Sequence, residues 1–159
     1  MKKQAILMVC LGNICRSPMA DGLLRKKVKA HNLPVRVDSA GTSAQHAGEA
    51  PDVRMQKTAN SFNVPIHDLR SRQFVQKDFE EFDTIYVMDE SNYKNVIQLA
   101  KNEEDKAKVK YILNEIEPQK NLEVPDPYFG GNQGFIDVYN MLDQATDKII
   151  QQLNNSING

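Results

Sequence analysis

Hydrophobic and polar positions alternate between two periods along this chain. Gln4-Ala5-Ile6-Leu7-Met8-Val9-Cys10 is a nearly unbroken apolar run with β-forming residues, the pattern of a strand buried on both faces. From Pro18 to Asn32 the period becomes helical: Ala20, Leu23, Leu24, Val28 and His31 fall on one face. Val35–Ala40 is a second strand that stops at Gly41, and Asp52–Asn63 is a helix after Pro51. Asp78–Phe82 is a short helical turn, Thr84–Met88 a third strand, Glu90–Lys101 a helix and Lys110–Leu113 a short fourth strand. Gly134–Asn154 forms a long amphipathic helix, with Phe135, Val138, Tyr139, Leu142, Ala145, Ile149 and Leu153 on its apolar stripe.

Strands that alternate with helices imply an α/β fold with a parallel sheet covered on both faces. Such sheets bind ligands beyond the carboxyl ends of their strands, near a switch in strand order. Cys10 lies at such an end, so chemistry is expected there first. The chain has 159 residues, 40% apolar and 26% charged, which suits a single domain over 1–159 with a substantial core. A formal net charge of −1 argues against a general nucleic-acid binder. The first apolar run is too short to span a membrane, so no membrane association is expected. The two cysteines, Cys10 and Cys15, cannot build a disulfide framework of the secreted kind. A cytoplasmic, reducing location is therefore expected.

The segment Cys10-Leu11-Gly12-Asn13-Ile14-Cys15-Arg16-Ser17-Pro18 joins the first strand to the first helix. In such a turn backbone N–H groups converge and the helix dipole favours an anion. A thiol at a helix N-terminus ionises easily, and an arginine fork can grip two phosphate oxygens. Cys10 is then a candidate nucleophile, although a cysteine there is also a plausible last core residue of the strand. Ser17-Pro18 suits a helix start, with Ser17 as N-cap. Asn13 suits a turn residue with left-handed backbone angles. Asp126 stands between Pro125 and Pro127, whose fixed φ angles make a stiff mount for a carboxyl group. His31, His46 and His67 are scattered without ligand spacing, so each reads as a surface or satisfied core residue and no metal or other cofactor is expected.

The loop from Cys10 to Ser17 resembles the phosphate-binding loop of the low-molecular-weight protein tyrosine phosphatases. Asp38-Ser39-Ala40-Gly41-Thr42, Arg72-Gln73, Met88-Asp89-Glu90-Ser91-Asn92 and Asp126-Pro127-Tyr128-Phe129 resemble further segments of that family, over nearly the whole chain. The resemblance implies a three-layer domain: a four-stranded parallel sheet, helices on both faces, and a phosphate loop after the first strand. It implies metal-independent hydrolysis of phosphotyrosine in proteins through a phosphocysteine intermediate. Cys10 would be the nucleophile, Arg16 would bind the phosphate oxygens with the amides of Leu11, Gly12, Asn13, Ile14, Cys15 and Ser17, and Asp126 would be the general acid and base.

By the same resemblance, the Ser17 hydroxyl hydrogen-bonds the Cys10 thiolate, a role that competes with capping for one side chain. Asn13 would brace the loop with Ser39 as its partner. Tyr128 and Phe129 would wall a deep slot with Leu11 near its mouth, and Ile14 favours phosphotyrosine over phosphoarginine. Cys15 is either inert or a partner for Cys10 in a reversible disulfide. Two positions depart from the family pattern. Gln45 replaces an aromatic slot wall, and Leu69 replaces a histidine that supports the loop asparagine, a task His67 would be near enough to take over. The expected partners are phosphotyrosine proteins and a phosphate or other oxyanion in the loop, with the chain a monomer or weakly self-associating. An arsenate reductase would need two further cysteines. A phosphocysteine carrier would not need Asp126, and a silent binding module would not need the full set of Cys10, Arg16 and Asp126. A nucleotide-binding loop would need a Gly-Lys-Ser/Thr sequence, which is absent.

Overall fold

The computed structural model describes residues 3–159, so the first two residues of the expected domain lie outside it. Strand β1 (Gln4–Cys10) runs up the middle of the molecule, and the chain returns through helix α1 (Arg16–Ala30) to strand β2 (Val35–Gly41). Helix α2 (Val53–Ser61) and the short α3 (Asp78–Glu81) precede strand β3 (Thr84–Val87). Helices α4 (Glu90–Ile97) and α5 (Glu103–Ala107), strand β4 (Val109–Tyr111), a 3-10 turn (Ile112–Glu115) and the long helix α6 (Asn132–Asn158) complete the chain.

The sheet is four-stranded, in the order β2-β1-β3-β4, with every neighbouring pair parallel. β1 is flanked on both sides and buried on both faces, which explains its unbroken apolar sequence. Its side chains alternate. Ile6, Met8 and Cys10 join the core under α1 and α6, whereas Ala5, Leu7 and Val9 join Phe74, Phe79, Phe82 and Val96 on the other face. After β1 the chain crosses to one side to make β2, then to the other to make β3. The carboxyl end of β1 is therefore the switch point of the sheet, and Cys10 stands on it, paired in register with Gly41.

Element boundaries differ from the sequence reading where local hydrogen bonding decides them. α1 begins at Arg16 rather than Pro18, and Cys15 at its N-cap makes no side-chain capping bond. The helix stops at Ala30 because Asn32 takes φ 52°. His31, expected on the buried face, lies in that exposed C-terminal turn. The helix expected over Glu90–Lys101 stops at Ile97, and α5 follows, capped by the Asn102 side chain accepting from the Asp105 N–H at 2.8 Å. β4 is shifted to Val109–Tyr111, because Ile112 and Leu113 turn into the 3-10 segment. α6 extends beyond the expected Gly134–Asn154 at both ends.

Candidate active site

The loop between β1 and α1 curls so that its carbonyls face outward. The Cys10, Leu11 and Ile14 carbonyls accept from the N–H groups of Thr42 (2.9 Å), Ser43 (2.9 Å) and Asp52 (2.8 Å). The Gly12 carbonyl accepts from Ser71 Oγ at 2.9 Å. With the carbonyls engaged elsewhere and no side chain capping α1, the loop amides and the first turn of the helix remain for an anion. Gly41 lets the loop lie this close: a Cβ there would stand 2.7 Å from the Leu11 carbonyl oxygen.

Cys10 Sγ sits inside this curl, 3.1 Å from Ser17 Oγ and 3.4 Å from the Ser17 N–H nitrogen that donates to it. Ser17 is thus inside α1 with its hydroxyl turned to the sulfur rather than capping the helix. Asn13, at φ 56°, directs Nδ2 to both Ser17 Oγ (2.7 Å) and Ser39 Oγ (3.0 Å). Its Oδ1 accepts from the Arg72 backbone N–H at 3.1 Å, which fixes the amide orientation. Because Ser17 Oγ receives the Asn13 proton, its own hydrogen has two acceptors in reach, Cys10 Sγ at 3.1 Å and the Ala40 carbonyl at 3.4 Å. Leu69, where the histidine was expected, packs against the core, and the exposed His67 does not reach Asn13. The Arg72 backbone supports the loop asparagine instead. The Arg72 side chain anchors that backbone through Asp38 (3.2 Å) and Asp78 (3.1 Å).

The Arg16 side chain is buried, and its Nη1 donates to Asp89 Oδ2 at 2.7 Å and to the Val124 carbonyl at 3.0 Å. Burial opposes the charge, but Cys10, Asp89 and Asp126 outweigh it and raise the arginine pKa. Nε and Nη2 form no hydrogen bond to the described residues. Nη2 has only a longer approach, 3.8 Å, to Asp126 Oδ2. The edge of the fork that faces the slot is therefore open. Asp89 holds this arrangement with one carboxylate, its other oxygen capping α4 through the Asn92 N–H at 2.8 Å.

Asp126 stands over the opening with its Oδ1 accepting from the Tyr128 N–H at 3.0 Å. The cavity beneath encloses about 150 Å³ and is lined by Cys10, Leu11, Gly12, Ile14, Cys15 and Arg16 at its base, with Ser43, Gln45, His46, Asp126, Tyr128 and Phe129 above. Leu11 is 46% and Phe129 93% exposed at the rim.

The model of the family described as "Low molecular weight phosphotyrosine protein phosphatase" matches residues 5–158. A human protein of that name is 40% identical over 139 residues, covering 86% of this chain and 87% of its own. The chain belongs to the low molecular weight phosphotyrosine protein phosphatase family. A putative low molecular weight protein-tyrosine-phosphatase from Synechocystis is 39% identical over 150 residues, covering 93% of this chain and 95% of its own. The crystal structure of a protein tyrosine phosphatase from Entamoeba histolytica, with Hepes in the active site, superposes with a TM-score of 0.89 at 37% identity, covering 96% of this chain and 98% of that one.

Membership makes this chain a protein-tyrosine-phosphatase enzyme, and within that frame several residues at the site carry no sequence expectation. Asp89 is one: only the fold brings it to Arg16. His46 is a correction. Read from the sequence as surface or core, it lines the slot beside Gln45, tilted against Tyr128 with ring centroids 6.4 Å apart and held by Glu49 at 3.1 Å. Its imidazole supplies part of the wall that the Gln45 substitution thins. The signal was its place next to the expected aromatic position. Arg54, stacked over Tyr128 with its guanidinium carbon 5.3 Å from the ring centroid, donates to the Tyr128 carbonyl at 2.9 Å and steadies the opposite wall.

Proposed function

We propose that this phosphatase hydrolyses phosphotyrosine in proteins by the two-step route expected from its loop. The thiolate of Cys10 attacks phosphorus in line. The S–P bond forms as the bond to the tyrosyl oxygen breaks, and Asp126 gives its proton to the departing phenolate. Asp126 then takes a proton from water, which attacks phosphorus. The S–P bond breaks and the Ser17 hydroxyl stabilises the returning thiolate. Loop amides and the Nε–Nη2 edge of Arg16 hold the equatorial oxygens, so the positive potential comes from the protein and no metal enters the scheme.

The observation that carries this reading is the convergence of Cys10 Sγ, the open edge of Arg16 and Asp126 on one slot. The depth of that slot, with Tyr128 and Phe129 above the sulfur, suits an aromatic phosphate and leaves a short phosphoserine out of reach. Cys15 is buried and free, and burial, followed by Asp52, Cys10 and Asp126, pushes its pKa up, which keeps it a neutral thiol. A neutral thiol is a poor nucleophile, so Cys15 acts as a resolving partner only once it gives up its proton. Peroxide would convert Cys10 to a sulfenic acid, and attack by Cys15 would release water and leave a Cys10–Cys15 disulfide that a thiol reductant reverses. Two free cysteines suit a reducing, cytoplasmic location.

The test is hydrolysis of para-nitrophenyl phosphate and a phosphotyrosine peptide without metal. Cys10→Ser should abolish turnover. Asp126→Ala should slow kcat by about 10²-fold or more on the phosphotyrosine peptide. Full activity in Asp126→Ala would instead favour a phosphocysteine carrier.

A further inference from the structure

The segment that carries Asp126 is tied to the rest of the molecule at one point. Val124, just before it, is fixed on both sides: its N–H donates to the Met88 carbonyl at 2.8 Å and its carbonyl accepts from Arg16 at 3.0 Å. Beyond it, Pro125 and Pro127 have no N–H to give. The Gly130 N–H closes a turn on the Pro127 carbonyl at 3.0 Å, and the Tyr128 N–H turns back to Asp126 Oδ1 at 3.0 Å. Among the described residues, a single hydrogen bond joins residues 125–130 to any other part of the chain. In it, Arg54 Nη2 donates to the Tyr128 carbonyl at 2.9 Å.

Arg54 is itself anchored to the phosphate loop. The Asp52 N–H donates to the Ile14 carbonyl at 2.8 Å. The Asp52 carboxylate then accepts from Arg54 Nε at 3.1 Å and from Arg54 Nη2 at 3.0 Å, one oxygen for each. The guanidinium carbon lies 5.3 Å from the Tyr128 ring centroid and 4.8 Å from that of Phe135 in α6. Three donors in one plane are engaged, two on Asp52 and one on Tyr128, a geometry that a guanidinium fork supplies and an ammonium does not. A continuous path of hydrogen bonds therefore runs from the Ile14 carbonyl through Asp52, Arg54 and Tyr128 to Asp126.

The path fixes one carboxyl group. Asp126 Oδ1 accepts the Tyr128 N–H, so in the neutral acid the proton belongs on Oδ2. Oδ2 is the oxygen that approaches Arg16, 3.8 Å from Nη2. Once phosphate oxygens occupy that edge of Arg16, the Tyr128 N–H is the remaining hold on the carboxyl. We propose that Arg54 is a positioning residue for proton transfer: by pinning the turn at Tyr128 it aims the Asp126 Oδ2 proton at the tyrosyl oxygen. As the P–O bond breaks, its electron pair stays on that oxygen and takes up the proton, leaving Asp126 a carboxylate. The inference rests on the reading of Asp126 as the general acid.

The test compares kcat/KM on two substrates. Para-nitrophenyl phosphate releases a phenol acidic enough to leave as the anion. Phenyl phosphate releases one as basic as tyrosine, with a pKa of about 10, and needs the proton. Arg54→Met keeps the side-chain stem and removes the fork. Its kcat/KM should fall about tenfold further on phenyl phosphate than on para-nitrophenyl phosphate, a part of the roughly 10²–10⁴-fold that a placed acid contributes. In an Asp126→Ala background the same substitution should add no selective loss, because the acid it aims is gone. A merely structural role lowers both substrates by one factor. An equal loss on both, or a selective loss that persists in the Asp126→Ala background, overturns the proposal. Should Arg54→Met fail to fold, Arg54→Lys keeps the stem and the charge without the fork and should show the same selective loss. An Asp126→Ala enzyme that does not discriminate between the two substrates removes the acid reading and this inference with it. That outcome is distinct from a selective Asp126→Ala beside an unselective Arg54→Met, which removes the inference alone.

Discussion

Replacing Asp21 with asparagine should make this phosphatase more stable at neutral pH. The carboxyl is fully buried and its pKa is raised from 3.8 to about 6, chiefly by burial. At roughly 1.4 kcal/mol per pH unit, the charged form disfavours the folded state by about 3 kcal/mol. The sign follows from proton binding. Between pH 3.8 and about 6 the folded protein holds a proton at Asp21 that the unfolded chain has released, so stability falls as pH rises through that window. Asparagine has no such dependence. Its loss of the charge-assisted bond to the half-exposed Arg25 is already counted, because Arg25 is among the groups that hold the Asp21 pKa down to about 6. The gain is about 3 kcal/mol above pH 7, or a rise in melting temperature of about 6–12 °C for a chain of this size. Urea unfolding of both proteins at about pH 4 and about pH 7.5 measures it. The variant should gain only at the higher pH. A variant less stable than wild type at both pH values would refute the reasoning, since Asp21 would then be a satisfied structural ion.

Other substitutions probe the rest of the site. Arg16→Lys keeps the charge but loses the fork, and kcat/KM should fall by about 10²-fold or more, with weaker phosphate inhibition in the same steady-state assays. Asp89→Ala leaves buried Arg16 without its carboxylate and α4 without its cap, and should cost about 3–5 kcal/mol in urea unfolding. Gly41→Ala sets a Cβ 2.7 Å from the Leu11 carbonyl oxygen and should push the loop out of shape, so phosphate inhibition should weaken while far-UV circular dichroism stays native.

The loop was legible because its chemistry is local. Cys10, Arg16 and Ser17 lie within a single strand–turn–helix unit whose backbone geometry follows from neighbouring residues, and Asp126 announces itself by its flanking prolines. The same locality explains the errors. Helix ends moved by a few residues because caps such as Asn102 and left-handed residues such as Asn32 are decided by individual hydrogen bonds. Periodicity does not single out His46, because it says nothing about which of two adjacent side chains turns into a slot. The sequence points to His67 as a support for Asn13, yet a backbone N–H of Arg72 holds it, and a backbone donor leaves no mark in side-chain identity.

The sequence by itself determined the order of strands and helices, the all-parallel sheet, and a thiol and a guanidinium at the carboxyl end of the first strand. Those follow from hydrophobic period and from residues within a turn of each other. Tertiary structure alone decided how the charges are held. Arg16 takes its orientation from Asp89, 73 positions away, and from the Val124 carbonyl, 108 positions away. Asn13 depends on Ser39 and Arg72, and Asp21 acquires its displaced pKa only when α1 closes over β2. Burial is what separates the two sets of facts. A polar group in water needs no particular partner, but once the fold removes water, each donor and each charge must be answered by whatever the distant chain brings beside it.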